Sequence, residues 1–133
     1  IIKENTMNLN TLFTINIPVA GIFGLGFILA PEAMLAPYGI SAHQAAESAM
    51  MARFFGASNF GYALLFWFMR GTASSDARTA VVKATALGFG VGCLVSIFNQ
   101  MSGEIGPLGW STVALYAIFA SAYGYYGFGK GAE

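Results

Sequence analysis

Residues 47–70, ESAMMARFFGASNFGYALLFWFMR, decide the fold. From Ala49 to Met69 the stretch is apolar over about 20 residues, which as a helix covers roughly 30 Å, one hydrocarbon thickness. It nevertheless contains Arg53 and Asn59. A charge at the bilayer centre costs roughly 2.5–3.5 kcal/mol on insertion scales. Arg53 is only about 6 Å in from Ala49 at 1.5 Å per residue, so its cost is smaller. Its own helix offers no acid at i±3 or i±4, where Ala49, Met50, Gly56 and Ala57 stand. A partner must come from elsewhere, and the candidates are Glu32, Glu104, Asn99 and Gln100. The expectation is an arginine that snorkels to the outer headgroups or pins the bundle through Glu32 or Glu104. Binding of an anionic ligand or lipid headgroup is the alternative.

The composition extends this reading to the whole chain. Charged residues make up 9% and hydrophobic residues 56% of 133 residues, with mean hydropathy +0.64. Soluble domains carry about 25% charged residues. Six basic and six acidic residues cancel, so nothing points to nucleic acid. Cys93 is the single cysteine and lies in an apolar run, so it reads as a small core residue.

Working outward, the first span is expected at about 11–30, with a kink at Pro18 that frees the carbonyl of Thr14 for the Thr14 hydroxyl or the Asn16 amide. PEAMLAPYGISAHQ (31–44) holds Pro37 and Gly39 but is too apolar for a free loop, so it reads as a short interfacial segment. Ser41 and Gln44 have capping-box spacing at the start of the second helix, whose buried part is expected at about 49–69. Ser74 or Ser75 caps a third span at about 77–101, with Asp76 suiting its helix dipole. Pro107 is expected to open a fourth span at about 108–128. The fold class is therefore all-α, a four-helix (tetraspan) integral membrane bundle forming one domain over 1–133.

Lys3, Arg70, Arg78, Lys83 and Lys130 fall at the N-terminus, the second link and the C-terminus, whereas only Arg53 lies near the other side. The positive-inside rule then puts both termini on the cytoplasmic side, or the stromal or matrix side in an organelle. The first methionine is Met7; a start at Met7 and a cleaved targeting peptide are both open, the second suiting an organelle such as one with thylakoids.

The chemistry-bearing residues are few. Asn59 shares a face with Ala52, Gly56 and Ala63, a small-residue seam by which membrane helices approach closely. Ala84, Gly88, Gly92 and Ser96 repeat the pattern in span three and lead to Asn99 and Gln100. The sharper alternative is a small polar cavity formed by Asn59, Asn99 and Arg53. His43 is the only histidine, so no zinc or di-iron site is expected; His43, Asn59, Asn99 and Gln100 are candidate ligands for a chlorophyll magnesium. Glycine runs such as GFGVG lie inside apolar helices rather than after a strand, against phosphate binding. No set of residues is placed for nucleophilic catalysis, so no enzyme is expected. Twelve Phe and six Tyr suit contact with lipid, carotenoid or other membrane subunits.

APEAMLAPYGI followed by ARFFGASNFGYALL resembles small bacterial and algal tetraspan proteins of unknown function, in which a PE…YGI turn precedes an AR.FGA…G.G second span. The likeness covers about residues 20–65. It implies a four-helix membrane fold and no activity, and it singles out Glu32 with Arg53 as the bridging pair. The expected role is a non-catalytic accessory subunit of a larger membrane complex, for which a photosystem is a fitting host, in contact with lipid or pigment. The rival is a small-molecule carrier or ligand-binding membrane protein with a polar cavity near Arg53.

Overall fold

The computed structural model describes residues 8–129, and among these the chain is helical with no strand. Its elements are α1 (Leu9–Leu29), α2 (Pro31–Leu35), a 3-10 turn (Ala36–Tyr38), α3 (Ala42–Met69), α4 (Asp76–Met101) and α5 (Gly109–Phe128). Lys3 and Lys130, two of the charges used for orientation, lie outside the described residues.

Local chemistry sets most helix ends. Asn8 caps α1 by accepting from the Thr11 amide at 2.9 Å. Ser41 and Gln44 form a reciprocal capping box at α3, and Ser75 caps α4 with Asp76 in its first turn. α1 runs unbroken through Pro18. The Thr14 hydroxyl donates to the Asn10 carbonyl at 2.8 Å and the Asn16 amide reaches across to Tyr123, so neither serves the Thr14 carbonyl as expected. Pro107 does not open α5. It sits in a tight turn whose i→i−3 bonds, Gly109 to Gly106 and Trp110 to Pro107, precede the helix.

The long helices form two hairpins, α1 along α3 and α4 along α5. In the first, the seam read from the sequence is a true close approach. Ala45, Ala49, Ala52, Gly56 and Ala63 are buried, and a Cβ on Gly56 would lie 2.7 Å from the Gly24 carbonyl oxygen. The second hairpin is looser. Gly92 takes the Tyr116 ring, but a Cβ on Gly88 would meet nothing within 4 Å. The α4 row is therefore no continuous packing seam.

The hairpins join at one end through a core of Leu12, Phe13, Phe66, Val82, Ala86, Phe119 and Tyr123. Stacked rings dominate it, with Phe66 and Tyr123 centroids 5.7 Å apart and Phe89 and Phe119 5.1 Å apart. A polar clamp sits just beyond. Arg78 donates to the Thr72 carbonyl at 2.7 Å and to Asn10 Oδ1 at 2.6 Å, and Asn10 Oδ1 also accepts from the Gly71 amide at 3.0 Å. At the opposite end the Gly106 amide donates to the Tyr38 carbonyl at 2.7 Å, tying the 3-10 turn to the α4–α5 link. Between these ties the consecutive helices α3 and α4 barely touch.

Two helices, Leu9–Leu29 and Asp76–Met101, are long and apolar enough to cross a membrane by length and composition. α5 carries no charge, but its glycines, serines and tyrosines lower its hydropathy. α3 carries polar first turns and Arg53.

Candidate functional site: a cavity between the hairpins

The gap left by the two hairpins is a cavity of about 720 Å³. Its size lies within the roughly 300–1,000 Å³ of small-molecule sites. Asn16, Phe66 and Phe89 form its floor; Tyr38, Gln100 and Ile105 form its roof. The walls come from Ala20 and Phe23 on α1, Asn59 and Tyr62 on α3, Gly88 and Ser96 on α4, and Thr112 and Tyr116 on α5. Among the described residues no Asp, Glu, Lys, Arg or His lines it.

The floor is held by a buried bond between the hairpins: Asn16 Nδ2 donates to the Tyr123 hydroxyl at 3.0 Å, with Asn16 1% and Tyr123 0% exposed. Tyr123→Phe keeps the ring stack and leaves the buried Asn16 amide without its partner. A loss of about 1–3 kcal/mol is expected, read as a lowered thermal midpoint by circular dichroism in detergent. An unchanged midpoint would mean that this bond does not hold the hairpins together.

The roof depends on Gln100, whose Nε2 donates to the carbonyls of Ile105 at 3.2 Å and Gly106 at 3.1 Å. The Thr112 hydroxyl lies 3.3 Å from the Tyr38 hydroxyl. Floor and roof close the two ends, so the opening is lateral. The lining residues of α1 and α5 are buried or half-buried apart from Ser111, whereas Phe55, Ser58 and Tyr62 of α3 and Gly88 and Val95 of α4 are exposed. The cavity opens between α3 and α4.

The residues singled out from the sequence divide sharply. Asn59, Asn99 and Gln100 come together on this cavity. Arg53 does not. It is exposed on another face of α3, in a shallow depression of about 320 Å³ with Ile28, Met50, Phe54 and Ala57. The expected clasp from Arg53 to Glu32 or Glu104 is also not formed. Among the described residues the one carboxylate pair within 4.0 Å is His43 with Glu47, at 3.3 Å. Glu32 and Glu104 are exposed. Arg53 points outward because the face of α3 packed on α1 belongs to the small residues Ala49, Ala52 and Gly56. His43 stands in the exposed first turn of α3, outside the cavity. No three His, Cys, Asp or Glu side chains gather into a metal-binding group among the described residues.

Sequence reasoning did not find Tyr38, Tyr123 or the Asn10–Arg78 clamp. Asn16 was noticed, but for the wrong partner. No protein-family model, curated protein or solved structure matches the chain.

Proposed function

We propose that the chain is a non-catalytic integral membrane protein, crossed four times by α1, α3, α4 and α5, that holds a small lipophilic molecule in the cavity between its hairpins. The cavity carries this reading: a void with a few amides and hydroxyls, lined by aromatic rings, with no charged side chain among its described lining residues and an opening between α3 and α4. Such a site orients a bound molecule through amides and hydroxyls, and no carboxylate, imidazole, thiol or amine stands among its described lining residues.

Membrane residence is supported by where the apolar surface lies. In a water-soluble fold, helices as apolar as α1 and α4 are buried core elements. Here only 33% and 17% of their apolar windows are buried. Ile22, Leu29, Phe54, Phe68, Leu94 and Phe98 are each 65–78% exposed, a surface suited to lipid rather than water. The uncharged α5 and the Ala49–Met69 part of α3 have the length to cross beside them. Arg70, Arg78 and Lys83 at the α3–α4 end favour that end as the cytoplasmic, stromal or matrix side.

Filling the cavity tests the reading. Gly88→Leu places a side chain where nothing lies within 4 Å, and it raises helix propensity by roughly 0.5–1 kcal/mol. The variant is expected to stay folded and to lose any lipophile that co-purifies with the parent, as read by organic extraction and mass spectrometry. Retention of the same molecule at the same stoichiometry would sink the proposal.

A second reading, accessory subunit of a larger membrane complex, is favoured by the exposed α3 face carrying Met51, Phe55, Tyr62 and Leu65. Native gel migration of the mildly solubilised protein separates the two, since a subunit runs within a large assembly.

A further inference from the structure

The lining of the cavity specifies its occupant more narrowly than "lipophile", an inference that rests on the ligand-holding reading above. Asn59 Nδ2 donates to the Phe55 carbonyl at 2.9 Å. A backbone carbonyl only accepts, so this bond fixes the amide orientation. It leaves Asn59 Oδ1, on a cavity-lining side chain, with no donor among the described residues. An acceptor in that position, flanked by apolar groups at membrane depth, is most stable when something in the cavity donates to it. Along α4 the Ser96 hydroxyl and the Asn99 amide also make no hydrogen bond among the described residues, and across from them neither does the Tyr116 hydroxyl. These groups both donate and accept, so they suit a hydroxyl. With no charged residue among the described lining, a phosphate, carboxylate or ammonium finds no counter-charge there. The rings of Phe23, Phe55, Tyr62 and Phe89 offer faces for a flat ring system.

We propose that the occupant is an uncharged, ring-bearing lipid alcohol, which reaches the cavity from within the bilayer through the gap between α3 and α4. Sterols, quinols and hydroxylated carotenoids share this chemistry, and the experiment separates them.

The full chain in nanodiscs of phosphatidylcholine is titrated with cholesterol, decylubiquinol under reductant, or zeaxanthin. Each alcohol has a comparator without the hydroxyl (cholestane, the hydroxyl-capped quinol dimethyl ether, β-carotene), and oleate is the anionic control. Binding is read from the shift of the thermal midpoint with concentration. At least one alcohol is expected to bind saturably and at least tenfold more tightly than its comparator. That preference is expected to shrink in Asn59→Leu and, as a second variant on an exposed position, in Asn99→Leu. Gly88→Leu abolishes the binding altogether. Equal binding of alcohol and comparator, or tighter binding of oleate, both sensitive to Gly88→Leu, overturns the alcohol while the ligand-holding reading stands. Absence of any binding that Gly88→Leu removes overturns both.

Discussion

Gly56→Leu is expected to prevent the α1/α3 hairpin from closing and to leave little folded protein in detergent. A Cβ at this position would lie 2.7 Å from the Gly24 carbonyl oxygen, 2.8 Å from the Ile28 nitrogen and 2.9 Å from the Phe27 Cβ. Two of these three are backbone atoms of the facing helix, so no rotamer change relieves the contact. Ordinary overpacking costs about 1–3 kcal/mol, and here the larger side chain would have to push whole helices apart, so the loss is expected at or beyond that upper figure. Gly61→Leu on the same helix is the control. Nothing lies within 4 Å of its added Cβ, and its helix propensity improves by roughly 0.5–1 kcal/mol. Thermal midpoints of the two variants decide the matter. Equal stability of both would mean that α1 and α3 are not held at backbone contact.

The second large effect is expected at the clamp. Arg78→Met retains much of the side-chain stem but removes the charged bonds to Thr72 and Asn10. Bonds to a charged group contribute about 1.5–3 kcal/mol each, reduced here by partial exposure, so a loss of about 2 kcal/mol is expected. Asn10→Ala removes the acceptor shared by Arg78 and the Gly71 amide. The two substitutions should therefore overlap. The double variant is expected to be less destabilised than the sum, by about 0.5 kcal/mol or more. Strict additivity of the three unfolding free energies would rule out the shared acceptor.

Features decided within one turn of helix were legible in the sequence. Ser41 with Gln44, and Ser75 with the Arg78 amide, make bonds across three residues, and the structure has both caps. The all-helical class was legible as well, because apolar runs of this length leave few alternatives. Features that join the two hairpins were not. Asn16 and Tyr123 stand 107 residues apart, Asn10 and Arg78 68 apart, and no spacing rule pairs them. Arg53 shows a different limit. The α3 sequence is apolar nearly all round, so its rotation about its own axis is set by what α1 presents. Gly24 on α1 takes Gly56, and that contact turns Arg53 away from the cavity that Asn59 faces. Gly88 and Gly92 read alike as members of a seam, yet only Gly92 has a ring to receive. The deciding residue, Tyr116, lies on another helix.

The pairing of each long helix with its nearest long neighbour other than across the α3–α4 link also bears on how the chain is made. The contacts of α1 and α2 with α3 involve no residue beyond Met69, so this half can finish folding while α4 is still being synthesised. The second half, α4 with α5, is equally self-contained. Contacts local in sequence form quickly and in the order of synthesis. The Asn16–Tyr123 bond and the Asn10–Arg78 clamp then mark the last step, the docking of two finished halves. The cavity has no existence before that step. Its floor, roof and walls draw on both halves, so no molecule can be enclosed there until the halves have met.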